Sequence, residues 1–331
     1  MLRKYKFWTM IVILSILLYL GVWMVSQFDV IMFSLNDPDR APLFIDVMLN
    51  IFQRRLVQVI ALIIAAVLIA LSTTVFQTLT QNRIVTPSLL GFDSIFVVTQ
   101  TTLVYFMSMS RFVVDPILNF MVTVVLMVGL TLLMYQTVLK RHKNNILLLL
   151  LIGMVIATLA SNYASFLQIL MNPTEFQTIM SLTSVSVVNI HTTLTFIVLP
   201  VAILVSAYFF SKSRVYDVIA LGQTHAMNLG IPYQKQTYTD LIFISIAIAI
   251  TTALVGPLSF LGLIAVNIAK ELYNKYHHQA IFILSSFISI IVLILGQTIV
   301  ELLGFRTVVT TFISLFGGIY MIYLIIKEHK V

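Results

Sequence analysis

The stretch VYDVIALGQTHAMNLGIP, residues 215–232, is polar in a chain that is otherwise almost devoid of polarity. It carries Asp217, Gln223, Thr224, His225 and Asn228, with Gly222 and Gly230, between two apolar runs. Asp217 can cap a short helix through Leu221, Gly222 can break the chain, and a second short helix can run from Thr224 to Leu229. Gly230 and Pro232 then stop it. On spacing alone the segment also reads as an ordinary polar loop.

Everything around it sets the class. Of the 331 residues 60% are hydrophobic and 9% charged, and the mean hydropathy is +1.05, the composition of an integral membrane protein. At roughly 20 residues per span plus short loops, there is room for about ten helices. Apolar runs bounded by charge, Pro or Gly place them at 7–27, 56–78, 88–108, 112–138, 146–170, 191–210, 240–256, 258–272, 279–299 and 307–326. The expected fold is all-α and polytopic, in one membrane domain over 1–331. The first run is too long for a signal-peptide core and has no small-residue cleavage site, so it reads as a retained span. The eighth is too short to cross alone and reads as a half-helix buried in protein. There is no cysteine, which excludes disulfides, thiolate metal sites and cysteine nucleophiles.

Charge orients the spans. With the N-terminus inside, the outer segments hold Arg40, Arg54, Arg55, Arg111 and Arg306, which leaves 14 of the 19 basic residues on the inner side. Both chain ends are then cytoplasmic. The pI of about 9.5 reflects this topology and requires no nucleic-acid partner. KRHK, 140–143, reads as a solvated inner loop beside anionic lipid.

An internal echo fits the same arrangement. TPSLLGF (86–92) opens the third span and GPLSFLGL (256–263) opens the eighth, on opposite sides of the membrane. Five spans separate them, as an inverted repeat of two five-helix halves requires, although Pro and Gly near helix ends also arise by chance.

Several chemistries are missing. No GxxxxGK[ST] loop is present to cradle nucleotide phosphates, and no His, Asp and Glu cluster has metal-ligand spacing. No catalytic or metal-binding residue is assigned, and His191 reads as interfacial. Asp93 is the main ionisable residue inside a span, where it can simply pair with backbone. An ion-coupled carrier normally needs buried carboxylates or broken helices that hold the ion, so energy is expected from elsewhere.

DVIALGQTHAMNLGI resembles the cytoplasmic coupling segment of the FecCD-type permeases, the membrane subunits of ABC importers for ferric siderophores, haem and vitamin B12. Of that family's L-x-L-G-E-x-x-A-x-x-L-G, Leu221, Gly222, Ala226, Leu229 and Gly230 match, with Gln223 in place of Glu. GPLSFLGLIAVNIAKEL (256–272) is similar to G-P-I-G-F-V-G-L-I-V-P-H-I-A-R, with Val266 and Asn267 replacing the Pro-His pair and Lys270 replacing Arg. LSTTVFQTLTQNRIVTPSLLGF (71–92) keeps Ser72, Gln77, Asn82, Pro87, Leu90 and Gly91 of two further family motifs. Where the family tends to place Glu-Leu-Pro-x-Gly, the chain has FRTVVT (305–310).

The resemblance implies a type II ABC importer permease with two inverted five-helix halves, in the bacterial cell membrane. It further implies a second permease subunit, identical or related, two cytoplasmic ATPase subunits that hold ATP and Mg, and an extracytoplasmic binding protein. The permease itself is expected to bind no cofactor. Segment 211–239 would couple to the ATPase through Asp217, Leu221, Gly222, Gln223, His225, Ala226, Leu229 and Gly230. Arg54 and Arg55 fit the position of binding-protein docking arginines, or anchor the helix at headgroup level. Glu301 and Arg306 would form another docking pair or a surface ion pair. The path would be lined by Ser161, Asn162, Ser165, Gln168, Asn172 and Thr178, faced by Thr307, Thr310, Thr311 and Ser314, unless these satisfy neighbouring helices. A ferric siderophore is the expected cargo because most family members carry one, with haem or a corrinoid as alternatives. An ion-coupled carrier and a non-transporting scaffold are the rival classes.

Overall fold

In lipid every backbone polar group must be paired within its own segment, so apolar spans have to be helical. The computed structural model describes residues 2–26, 41–110, 115–141, 146–185, 190–273, 277–305 and 307–328, and among them every regular element is a helix. They are α1 (Leu2–Ser26), α2 (Ala41–Thr80), α3 (Phe92–Ser110), α4 (Pro116–Arg141), α5 (Ile146–Leu170), α6 (Pro173–Thr183) and α7 (Thr192–Ser211). Then follow α8 (Ser213–Ile219), α9 (Gln223–Asn228), α10 (Tyr233–Val255), α11 (Leu261–Leu272), α12 (His278–Leu302) and α13 (Val309–Glu328).

Eight of these are long and apolar enough to cross a membrane: α1, α2, α4, α5, α7, α10, α12 and α13. The third and eighth expected spans are the short ones. α3 follows a 3-10 turn, Pro87–Leu90, and α11 has 12 residues after an irregular stretch. α6, an 11-residue helix after α5, had no separate signal in the apolar runs.

α2 runs for 40 residues, starting 15 before the expected span. Nothing between Pro42 and Pro87 breaks it, and proline is tolerated in the first turn. At about 1.5 Å per residue it reaches roughly 60 Å, twice the hydrocarbon thickness, so its first third projects beyond the apolar layer. Gln81, at φ +52°, ends it, with its amide donating to Thr78 O (2.8 Å) and Ile219 O (3.0 Å).

α2 is also the centre of the bundle: 83% of its apolar stretch is buried, against 22% for α1, α5 and α13. Its small residues, Ala61, Ala65, Ala66, Ala70, Ser72 and Thr73, let α10, α11 and α12 approach closely. The tightest approach is Gly262 on α11, where an added Cβ would lie 2.1 Å from Thr73 Oγ1. Ser72 and Thr74 donate to Leu68 O and Ala70 O of their own helix, so these hydroxyls need no outside partner.

The two echoing motifs meet. Aligned on Gly91 and Gly262, Ser88 and Ser259 occupy the same position, and both hydroxyls donate to the Asp93 carboxylate, Ser259 at 2.5 Å.

Candidate functional site

Three regions carry the residues singled out in the sequence. The first is the α8–α9 segment, at the end of the bundle that also holds Lys212, Arg214, Lys235 and Lys270, here called the basic end. Gly222 breaks the chain between the two helices at φ +104°, which L side chains rarely adopt. One face of the segment is built into the protein through Ser213, Tyr216, Ile219 and Ala226. The other is bare: Leu221 and Leu229 are 61% and 64% exposed, and Met227, Gln223, Thr224, His225, Asn228 and Gly230 are exposed with them.

Asp217 does not cap its own helix. α8 begins at Ser213, so Asp217 lies in its interior, and its carboxylate caps α12 instead. Asp217 Oδ1 accepts the His278 backbone N–H (2.7 Å) and lies 2.8 Å from His278 Nδ1. The first turn of a helix has unpaired N–H groups and a positive dipole end, which a carboxylate satisfies. On the other side of the ring, His278 Nε2 hydrogen-bonds the Thr78 hydroxyl at 2.8 Å, and that hydroxyl also lies 2.9 Å from Thr74 O one turn back on α2. The next residue back, Tyr216, donates to Asp240 Oδ1 on α10 (2.8 Å), which also accepts from Tyr208 (2.8 Å) and Gln236 (2.8 Å). Burial, then the Asp240 carboxylate, push the Tyr216 phenol upward, so it remains a donor.

A further cluster lies at the same end. Gln77 Nε2 donates to Arg83 O (2.7 Å), Asn267 Nδ2 to the same carbonyl (2.9 Å), and Lys270 Nζ to Gln77 Oε1 (2.8 Å). Gln77, Asn267 and Lys270 each appear in the sequence motifs, but their meeting joins positions 77 and 270, 193 residues apart, and neither it nor the Tyr208–Tyr216–Asp240 cluster has a local pattern that would reveal it.

The second region is the opposite end. Arg54 is exposed, whereas Arg55 is turned inward and pairs with Glu301 through two hydrogen bonds, Nη1 to Oε2 at 2.9 Å and Nη2 to Oε1. Their side chains are only 12% and 6% exposed. The guanidinium lies 5.3 Å from the Tyr19 ring centroid and 5.1 Å from that of Trp23 on α1, a cation–π arrangement. Glu301 therefore has Arg55 as its partner, from 246 residues away, and Arg306 lies outside the described residues.

The third region is the set of polar side chains along the expected path. Ser161 donates to Ser94 (3.0 Å) and Gln168 to Thr101 (3.3 Å), both on α3. Asn172 and Glu175 bond each other at the start of α6, and Thr178 back-bonds Thr174 O while lining a cavity of about 440 Å³ between α3, α4 and α6. Asn162 and Ser165 on α5, and Thr311 and Ser314 on α13, are exposed and have no partner among the described residues. Thr307 and Thr310 are half-buried. α5 packs chiefly on α3 and the Pro87–Leu90 turn, then on α4, and α13 packs on α11 and α12, so the two sets are not brought face to face among the described residues of one chain.

Comparisons with known proteins agree with this architecture. Over 279 residues the chain is 42% identical to the petrobactin import system permease protein YclO of Bacillus subtilis, covering 84% of this chain and 89% of the relative. It is 31% identical over 325 residues to the petrobactin import system permease protein FatC of Bacillus anthracis, covering 98% and 89%. A solved structure described as an inward-facing conformation of a putative metal-chelate type ABC transporter superposes with a TM-score of 0.76 at 20% identity, over 97% of this chain and 99% of that one, which establishes the fold. The model of the FecCD transport family matches residues 8–327. The chain is thus a multi-pass membrane protein that belongs to the FecCD transport family.

Proposed function

We propose that the chain is the membrane-spanning permease of an ATP-driven importer for a ferric siderophore, with ferric petrobactin the first cargo to test. The observation that carries the transport reading is the pair of unpartnered polar faces, Asn162 and Ser165 on α5 with Thr311 and Ser314 on α13. Polar groups facing lipid are costly, so such faces belong against a second subunit or along an aqueous path. Hydroxyls and amides without formal charge suit a path that must let its cargo go. The names of the two permease relatives support petrobactin as the cargo.

In this reading the basic end faces the cytoplasm, as its lysines and arginines favour. Separate ATPase subunits hold ATP and Mg there and grip the bare face of α8–α9. A second permease, identical or related, covers the α5 and α13 faces. A binding protein docks at the opposite end, where Arg54 offers an exposed positive charge and the Arg55–Glu301 pair stands behind it. Transport follows from the differential affinity of the ATPase pair for the two permease states.

The test is uptake by cells lacking the gene, using iron-labelled petrobactin beside a ferric hydroxamate, labelled haem and labelled cobalamin. Loss of petrobactin uptake alone, restored by the intact gene, supports the reading. Loss confined to haem or cobalamin would reassign the cargo, and uptake that survives ATP depletion but follows an ion gradient would point to a secondary carrier.

A further inference from the structure

α2 and α12 are fastened to each other at both ends. At the basic end the fastening is the Thr78 hydroxyl on His278 Nε2, both residues being buried, with 6% and 4% exposure. At the opposite end it is the Arg55–Glu301 pair, enclosed by Tyr19 and Trp23. The spacing is the same on the two helices: 78 − 55 = 23 residues on α2 and 301 − 278 = 23 on α12. At about 1.5 Å per residue that is roughly 35 Å on each, so the fastenings are in register across the whole apolar layer. With one fastening, the helices could pivot or slide against each other. Two in register allow neither without breaking a buried hydrogen bond or ion pair. Between them the small residues of α2 keep the contact close.

The pair is also joined to the α8–α9 segment at three points. Asp217 holds the first turn of α12 through two contacts on one oxygen, and His277 Nδ1 lies 3.5 Å from the other. Gln81, just past α2, donates to Ile219 O at the end of α8. His278 thus stands between the segment and α2, taking Asp217 on one ring nitrogen and Thr78 on the other.

We propose that α2 and α12 act as one rigid strut that carries displacement of the α8–α9 segment to the opposite face of the membrane. Asp217, His278 and Thr78 form its joint at the basic end and Arg55 and Glu301 its joint at the far end. These are positioning residues, since they act through the segment and the docking face and touch neither cargo nor nucleotide. The proposal rests on the reading of α8–α9 as the ATPase contact. It adds a specific route by which that contact reaches a surface about 35 Å away.

Linkage supplies the test, because two coupled sites must alter each other's affinity, by a factor that is typically 5 to 150. The complete importer is assembled in lipid nanodiscs, and the affinity of its binding protein is measured with and without a non-hydrolysable ATP analogue. Thr78→Val removes the hydroxyl at nearly constant volume, and Thr78→Ser keeps it. ATPase affinity and nucleotide-free binding-protein affinity should be unchanged in both. The nucleotide-induced shift in binding-protein affinity should shrink at least severalfold in Thr78→Val and return in Thr78→Ser. His278→Phe, which loses both ring contacts, should reproduce Thr78→Val and covers the case in which valine perturbs insertion.

A full wild-type shift in Thr78→Val and His278→Phe overturns the strut. So does loss of the ATPase from Thr78→Val, because the contacts would then only shape the local surface. Failure of the underlying reading has a different signature: ATPase affinity that is indifferent to removal of the exposed Leu221 and Leu229 side chains, whatever happens at Thr78.

Discussion

Replacing Leu221 and Leu229 together by serine probes the ATPase contact without disturbing the permease. Both side chains stand on the bare face of α8–α9, 61% and 64% exposed, so little packing inside the chain is lost. Full burial of a leucine is worth about 1.5–3 kcal/mol, and closing the remaining three fifths under a partner contributes about 1–2 kcal/mol each. For both, the loss is about 2–4 kcal/mol, roughly a 30- to 900-fold weaker complex. The assay is titration of the purified ATPase against the permease in nanodiscs, with uptake measured in parallel. Monodispersity and thermal midpoint of the double variant should match the parent. Substitutions at Ala226 or Gly222 are poorer probes: Ala226 is fully buried in the chain's own core, and Gly222 at φ +104° would strain any side chain regardless of the partner. Unchanged ATPase affinity in Leu221→Ser/Leu229→Ser would refute the contact surface and return 215–232 to an ordinary loop.

Gly262→Ala should push α11 off α2, since its Cβ would fall 2.1 Å from Thr73 Oγ1 and 2.8 Å from Thr73 Cβ. Overpacking of this kind costs about 1–3 kcal/mol in thermal-midpoint measurements, and Thr73→Gly in the same chain should recover part of it. Asp217→Ala, which removes the cap of α12, should lower stability by about 0.5–2 kcal/mol in the same assay. Asn162→Leu and Ser165→Leu lie on a face with no partner among the described residues, so folding should hold while uptake falls about 2- to 13-fold for each lost hydrogen bond. Because the chain has no cysteine, single cysteines report orientation directly. Arg54→Cys should react with impermeant reagent in intact cells and Gln223→Cys only after permeabilisation, and the reverse would invert the topology.

What was legible in sequence follows the range of the interactions. All ten apolar runs correspond to helices because hydropathy is local, and the break at Gly222 was visible because only glycine accepts that backbone. The start of α2 at Ala41 was not legible. Its first third is neither as apolar as a span nor interrupted by a breaker, so nothing local separates it from a loop. Asp217 reads as a local cap, since Asp commonly caps the helix it precedes, but tertiary packing gives its carboxylate to α12, 61 residues on. Arg55 shows the same limit: beside Arg54 it looks like a second surface charge, and only the fold reveals a carboxylate from 246 residues away. Of the path residues, Ser161 and Gln168 are engaged by α3, whereas Asn162 and Ser165 are not; which face of α5 meets α3 depends on packing that the pattern does not encode.

Asp93 gives the sharpest separation between an ATP-driven and an ion-driven carrier. A carboxylate inside a span is the usual mark of an ion site, and in sequence nothing distinguishes that role from a structural one. In the structure its oxygens take the hydroxyl protons of Ser88 and Ser259, the equivalent serines of the two echoing motifs, so it joins the starts of α3 and α11. A carboxylate so occupied has a structural task already. Asp93→Asn keeps an oxygen acceptor but removes the charge that strengthens both hydrogen bonds, whose contribution would fall from about 1.5–3 to about 0.5–1.5 kcal/mol each. Thermal stability should therefore drop by about 2–3 kcal/mol in total, and Ser88→Ala/Ser259→Ala in the same background should cost less than it does in the parent. Uptake by Asp93→Asn should decrease in proportion to the folded population while keeping the same requirement for ATP. Uptake abolished with stability intact, or an imposed proton or sodium gradient that drives transport in the parent and not in Asp93→Asn, would make this carboxylate an ion site and overturn the structural assignment.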